Sequence, residues 1–376
     1  MRTRPSPASL AWFLALVAPV GAAGCGPTEV LVGDAPGVAR VVAGVLGLPF
    51  QLVLPDVPPE GDALEAQLGM PTGLAALEDG GFYFADLLRR RVGHVTADGQ
   101  ISWPIGRGPC GTLGPAGLDP ATLCLSTPTG VTVAPDGALW IADPGAHRVY
   151  RVDLAAGSVA VALGTGVVGV APDGAIANTA PSDTPEDVAV GPDGAAYVTE
   201  RRNNRIVRLH PDGTVAAFAG TGTAGDEGDG GPATAAAFRL PVGLAWMGDT
   251  LYVADAGNHR VRRIIGGVVH AYAGIGAAGF AGDRGPAAGA LFDSPGRLTV
   301  AGTLLFVADR ANFRIRLIRV GPDSIDTFGG TGSSSPGADL LAVGATGLAG
   351  PTGVAAAGRA VFMSDSGGFV VRRVVR

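Results

Sequence analysis

Lysine is absent from the 376 residues, and all 27 basic side chains are arginine. Schiff-base chemistry and a phosphate-loop lysine are therefore excluded. Charged residues make up only 16% of the chain, well under the usual quarter. The formal charge of −6 offers no general attraction for nucleic acid. Cysteine occurs three times and never as a CxxC pair, and neither an HExxH zinc motif nor a Ser/His/Asp set is evident. What abounds is glycine, at 61 residues, with 29 prolines. That share borders on low complexity, but 47% apolar residues and a mean hydropathy of +0.32 exclude wholesale disorder. A chain this long implies two domains or one repeat array.

The one long apolar run, Leu10 to Val20, follows Arg2 and Arg4 and ends in Gly21-Ala22-Ala23-Gly24-Cys25. A basic start, a short apolar stretch and small residues before a cut describe an export signal over residues 1–24. The run is too short to cross a bilayer as a helix. The small residues leading into cysteine resemble a bacterial lipoprotein signal, in which the matching thiol, here Cys25, is lipidated. Ala22 stands where that family prefers leucine, and the alternative is ordinary cleavage near Ala23 with Cys25 free. Residues 25–37 then read as a tether. Export to a bacterial cell envelope is expected, as an outer-membrane or periplasm-facing lipoprotein held to the membrane only through its N-terminal lipid. Cys110 and Cys124 lie in one Gly/Pro-rich loop, and in an exported chain the expected state is a disulfide between them. A metal site is the alternative, although no histidine lies in that loop.

Six segments of one pattern fill residues 38–376. They open at Pro71, Pro128, Pro185, Pro241, Pro295 and Pro351, spaced 57, 57, 56, 54 and 56 residues apart. After each proline comes a short apolar run, then in several a turn such as Pro135-Asp136-Gly137. An apolar strand follows and ends in an acid, as in Leu251-Tyr-Val-Ala-Asp255. Five residues past the acid, an arginine followed by Val or Ile opens a third run, as at Arg260-Val261 in the same segment. A last run finishes near Ala-Gly-x-Gly. The runs are four to seven residues long, rich in β-branched and aromatic residues, and bounded by Gly, Pro and Asp. They are too short and too often broken for helices. The Asp-Gly pairs suit two-residue I′-type hairpin turns. Each segment is thus predicted to be a four-stranded antiparallel meander, and the chain an all-β, six-bladed β-propeller. The sixth segment stops after its third strand, while Val38 to Gly47 reads as an orphan fourth strand. Pairing the two closes the ring.

The pattern resembles the NHL-repeat family of propellers over residues 38 to 376. It is fullest at Tyr252-Val-Ala-Asp255-Ala-Gly-Asn258-His259-Arg260-Val261, and Gly228-Asp-Gly-Gly-Pro-Ala-Thr resembles the family's inter-blade connector. Blade three departs with Glu200 for aspartate, and blade six has Val370 for the arginine. The resemblance implies an interaction or sensor module, here a non-catalytic binding or scaffold propeller for a protein, peptide or glycan, monomeric and without a cofactor. The competing expectation is a hydrolase or lyase with a metal-assisted site at the channel mouth. Related amidating lyases carry a histidine directly after the blade-opening proline, whereas these positions are Thr72, Thr129, Glu186, Val242, Gly296 and Thr352. Lactonase-type propellers hold calcium with a Glu, Asn and Asp set, to which Glu186 or Asp187 would contribute. RNA binding, known for animal members, is opposed by the acidity and by export.

The acid and arginine recur as Asp86/Arg91, Asp143/Arg148, Glu200/Arg205, Asp255/Arg260 and Asp309/Arg314. The spacing places them across a hairpin, in reach of a bidentate pair, and their recurrence favours a structural clamp over five ligand sites. His147 and His259 share one position before the motif arginine and read as exposed turn residues. Asp226, Glu227 and Asp229 read as solvated loop acids rather than a calcium site. Strand parity puts the long connectors and the acid–arginine hairpins on one face, where binding usually resides. There the Thr-Gly that follows three of the six blade-opening prolines gives way to Glu186-Asp187 in blade three and to Arg297 in blade five. Glu186, Asp187 and Arg297 are accordingly the expected ligand contacts.

Overall fold

A computed structural model describes residues 36–45, 60–110, 119–338 and 341–376. The export signal, Cys25 and most of the tether lie outside these residues. Six antiparallel sheets stand around an axis, and helical structure among the described residues is confined to three-residue 3₁₀ turns. The innermost strands are Pro71–Ala76, Gly130–Val133, Pro185–Val190, Pro241–Met247, Pro295–Ala301 and Pro351–Ala357. Each runs from the loop-rich face toward the face of short turns.

The ring closes as the chain ends suggested. Val38–Ala43 pairs antiparallel with Val370–Val375, with Ala39 opposite Val374 and Arg40 opposite Arg373, and so becomes the outer strand of the sixth blade. Among the described residues, four blades gain a short fifth strand that the repeat pattern did not announce, because the connector entering the blade pairs with its outer strand. Gly61–Asp62, Ala175–Ile176, Gly285–Pro286 and Leu341–Ala342 play this part.

The Asp-Gly turns differ from the two-residue I′ form, which is kept at Gly266-Gly267, where Ile265 pairs with Val268 and φ is 57° and 78°. The Ala134 N–H donates to the Ala138 carbonyl, the Gly137 N–H donates to the Ala134 carbonyl, and only Gly137 has a positive φ, at 82°. This is a three-residue loop, a type I turn ending in a glycine bulge. Asp136 stabilises it by accepting the Ala138 N–H at 3.0 Å, which leaves aspartate no need of the left-handed conformation.

The core is divided into six apolar layers, one between each pair of neighbouring blades. A blade is therefore buried on both faces. That explains why Val149, Tyr150 and Val152 are all inaccessible although they alternate in direction. Aromatic pairs such as Phe82 and Phe362, with ring centroids 4.8 Å apart, tie blade one to blade six. The third residue before each blade-opening proline is a wedge in these layers: Leu68, Leu125, Phe238, Phe292 and Leu348 are all buried, and only blade three has a polar residue there, Ser182.

Candidate functional site

The loop-rich face is held together by the motif acids, though not through the arginines that spacing suggested. Each aspartate turns back to the connector and accepts backbone N–H groups just before the innermost strand. Asp86 takes those of Gly69 and Met70 at 2.6 and 2.9 Å, and Asp143 those of Ser126 and Thr127, both at 2.8 Å. Asp255, Asp309 and Asp365 accept from Arg239, Asp293 and Gly350. These carboxyls are fully buried. Burial pushes Asp255 and Asp309 up to about 6 against the pull of their hydrogen bonds and arginines.

Of the five expected pairs, only Glu200–Arg205 forms directly, at 2.6 Å. Glutamate's extra methylene carries its other oxygen to the Ser182 hydroxyl, also at 2.6 Å, so blade three exchanges an apolar wedge and an aspartate for a polar set. In blades one, two and five the motif arginine instead donates to carbonyls after the outer strand, as Arg91 does to Gly106 and Arg107 and Arg314 to Thr331, and in blade four Arg260 donates to the Asp226 carbonyl of the connector entering the blade. The aspartate's cation comes two residues later in blades four to six. Arg262, Arg316 and Arg372, each fully buried, lie 3.5, 3.5 and 3.7 Å from Asp255, Asp309 and Asp365. Arg262 also holds Asp229 at 2.8 Å, so this acid is a structural counter-ion rather than a solvated loop residue. These arginines were legible only as a second arginine two positions after the first, a signal that blade six lacks.

His147 and His259 are likewise more than exposed turn residues. With Asn204 they occupy the left-handed region, at φ of 51°, 52° and 49°, and each accepts the N–H of the residue before the next blade's proline. Thr184 donates to His147 at 3.3 Å, Leu240 to Asn204 at 3.0 Å, and Ser294 to His259 at 3.2 Å. They staple neighbouring blades. The local basic run at Arg89-Arg90-Arg91 is no phosphate-binding patch, since Arg89 and Arg91 are buried and donate to carbonyls of Gln67, Gly106 and Arg107.

Above this frame lies the axial mouth. Asp187 and Arg297 come from blades three and five, 110 residues apart, and meet as a buried ion pair across the channel. Asp187 also accepts the Leu244 N–H at 3.1 Å, and Arg297 donates to the Glu186 carbonyl at 2.7 Å. Burial raises the Asp187 carboxyl although Arg297 pulls it down. The pair divides the channel. Toward the short-turn face lies a cavity of about 280 Å³, lined by the ends of the innermost strands. Toward the loop-rich face lies one of about 110 Å³, lined by Thr72, Thr129, Glu186, Val242, Thr352, Arg297 and Arg310. A larger cavity, of about 470 Å³, lies off the axis between blades two and three, beside Trp140 and Leu209.

The expected contacts thus separate. Asp187 and Arg297 are brought together and engaged with each other, whereas the half-buried Glu186 faces the mouth with its carboxylate. Arg310, which the repeat pattern did not single out, enters the same mouth. Its stem crosses Gly296, where an added Cβ would lie 2.7 Å from the Arg310 Cδ. Among the described residues no cluster of three or more His, Cys, Asp or Glu side chains is placed to hold a metal ion. Cys110 and Cys124 are paired, with Cα atoms 6.0 Å apart, within the normal disulfide range.

Residues 56–265 match the family model described as the teneurin NHL domain. The chain belongs to that family. This NHL propeller is 30% identical to teneurin-1 of Gallus gallus over 230 residues, 54% of this chain and 8% of that protein. It is 32% identical to virginiamycin B lyase of Nocardia farcinica over 153 residues, 41% of each chain. The matched segments thus span less than half the length of either relative. A solved auxiliary nutrient binding protein from Bacteroides thetaiotaomicron aligns with a TM-score of 0.63 at 12% identity, over 89% of this chain and 75% of that one. At that identity the likeness is one of fold.

Proposed function

We propose that this NHL propeller is an exported, lipid-anchored binding or sensor module that takes a protein, peptide or glycan ligand at its loop-rich face without turning it over. The observation that carries this reading is the composition of the axial mouth. Glu186 is the free carboxylate there, Asp187 is consumed by Arg297, and Arg310 adds a further cation. A metal ion at that position would meet one carboxylate and two guanidiniums, an unfavourable donor set. The fold shared with a nutrient binding protein supports binding as the task. Export and lipidation at Cys25 rest on the signal-like segment, which lies outside the described residues.

The similarity to virginiamycin B lyase favours a second reading, a lyase or hydrolase with a metal-assisted site at the mouth, calcium being the ion such a carboxylate would take. Metal analysis of the purified chain separates the two. Stoichiometric calcium or zinc, lost in Glu186→Ala, would overturn the binding reading. The expected result is no stoichiometric metal, together with saturable binding to a peptide and glycan array that Glu186→Ala weakens and Asp212→Ala, on the short-turn face, leaves intact.

A further inference from the structure

Glu186 and Arg310 line the same cavity of about 110 Å³, yet no ion pair within 4.0 Å joins them. Neither side chain has a hydrogen-bond partner among the described residues. Opposite charges that share a narrow, partly desolvated mouth ordinarily collapse into a pair, so something must hold them apart. Two features do. The backbone carbonyl of Glu186 accepts from the Thr129 hydroxyl at 3.0 Å and from Arg297 at 2.7 Å, which fixes where its side chain departs. The Arg310 stem is seated on Gly296, the blade-five counterpart of Glu186, where any Cβ would collide with its Cγ and Cδ. Blade four stands between them and offers only Val242, an apolar spacer. The mouth is therefore positive on one side, negative on the other, and apolar between. Arg310 keeps part of its side chain exposed, and desolvation by the surrounding chain, with Arg201 and Arg297, draws its pKa below the usual arginine range against the effect of Glu186.

We propose, resting on the binding reading above, that the mouth takes a small zwitterion: a molecule with a carboxylate at one end, an ammonium at the other and a short apolar spacer. The Arg310 guanidinium presents a planar fork that matches a carboxylate in two parallel hydrogen bonds. Glu186 accepts from the ammonium, and the methylenes lie over Val242. The cavity has room for several water molecules, and so for a ligand of only a few heavy atoms. An amino acid or its chain-extended homologue fits this description, as does the exposed end of a larger ligand whose remainder rests on the surrounding loops.

The test uses the full chain and saturation-transfer NMR with 4-aminobutanoate as probe, and butanoate and butylammonium as controls bearing one charge each. 4-Aminobutanoate is expected to bind at least about tenfold more tightly than either control. Glu186→Gln should erase the difference between 4-aminobutanoate and butanoate. Arg310→Gln should abolish binding of both carboxylates, and Gly296→Ala, which drives a Cβ into the Arg310 stem, should weaken both while leaving Glu186 in place. Glu186 and Arg310 line the mouth, Gly296 is buried beneath the Arg310 stem, and unchanged urea midpoints verify folding of all three variants. Equal binding of butanoate and 4-aminobutanoate, absence of saturable binding, or binding indifferent to all three substitutions would overturn the zwitterion assignment. The wider reading fails separately: an array ligand that still depends on Glu186 would preserve the binding module while the zwitterion claim falls.

Discussion

Replacing Arg297 by leucine tests whether the ion pair across the axis is a desolvated plug. The substitution removes the cation facing Asp187 and the donor to the Glu186 carbonyl, held at 2.7 Å. Asp187 would remain inside the ring with the Leu244 N–H at 3.1 Å as the partner of its other oxygen. Stranding one member of a buried pair costs about 3–5 kcal/mol. Asp187→Asn in the same background removes the orphaned charge, keeps an acceptor for Leu244, and should cost only about 1 kcal/mol. The assay is urea unfolding, with stability read from the midpoint at unchanged m. The effect should also depend on pH. The folded Asp187 carboxyl lies above its ordinary value of 3.8, chiefly through burial, and losing Arg297 raises it further. A raised acid binds its proton more tightly when folded, so its burden on stability is least below the unfolded value. The Arg297→Leu deficit should therefore be small near pH 4, grow as pH rises through the folded pKa, and then level off. A deficit under about 1 kcal/mol, or one that does not vary with pH, would mean that water fills the channel and the pair is not a plug.

Deleting Val38–Ala43, whose Ala39, Val41 and Ala43 are buried against the last blade, should replace one cooperative unfolding transition by a broad or early one; an unchanged curve would refute closure by this strand. Asp255→Asn puts an amide donor before Asn258 and the buried Arg262, and should cost about 3 kcal/mol in calorimetry, whereas Asp226→Asn, at an exposed acid, should cost less than about 0.5 kcal/mol. Reducing the Cys110–Cys124 pair, 14 residues apart, should remove about 3 kcal/mol and expose two titratable thiols; thiols that react before reduction would refute the pairing. A palmitate analogue should label the chain in a bacterial host and fail to label Cys25→Ser, and equal labelling would dismiss the lipid anchor.

The architecture was legible in the order of residues because its causes are local and repeat. Proline at or just before the start of each innermost strand, short β-branched runs, Asp-Gly turns and a spacing of 54 to 57 residues each report a preference of the backbone over a few positions. Six repetitions multiply that signal, and the incomplete last unit with its orphan partner identifies the seam of the ring. Partnership was not legible in the same way. An arginine five residues from an acid stands opposite it in the register, as Arg260 does to Asp255, yet the aspartate is drawn to the connector's free N–H groups and its cation comes from Arg262. Which acceptor wins is settled by what burial leaves unsatisfied, a property of three-dimensional crowding that spacing does not record. The mouth shows the same limit. Its departure from the Thr-Gly pattern marked Glu186, Asp187 and Arg297, but only the closed ring brings Asp187 to Arg297 across 110 residues. Only there does the missing side chain of Gly296 become the seat on which Arg310 reaches the axis.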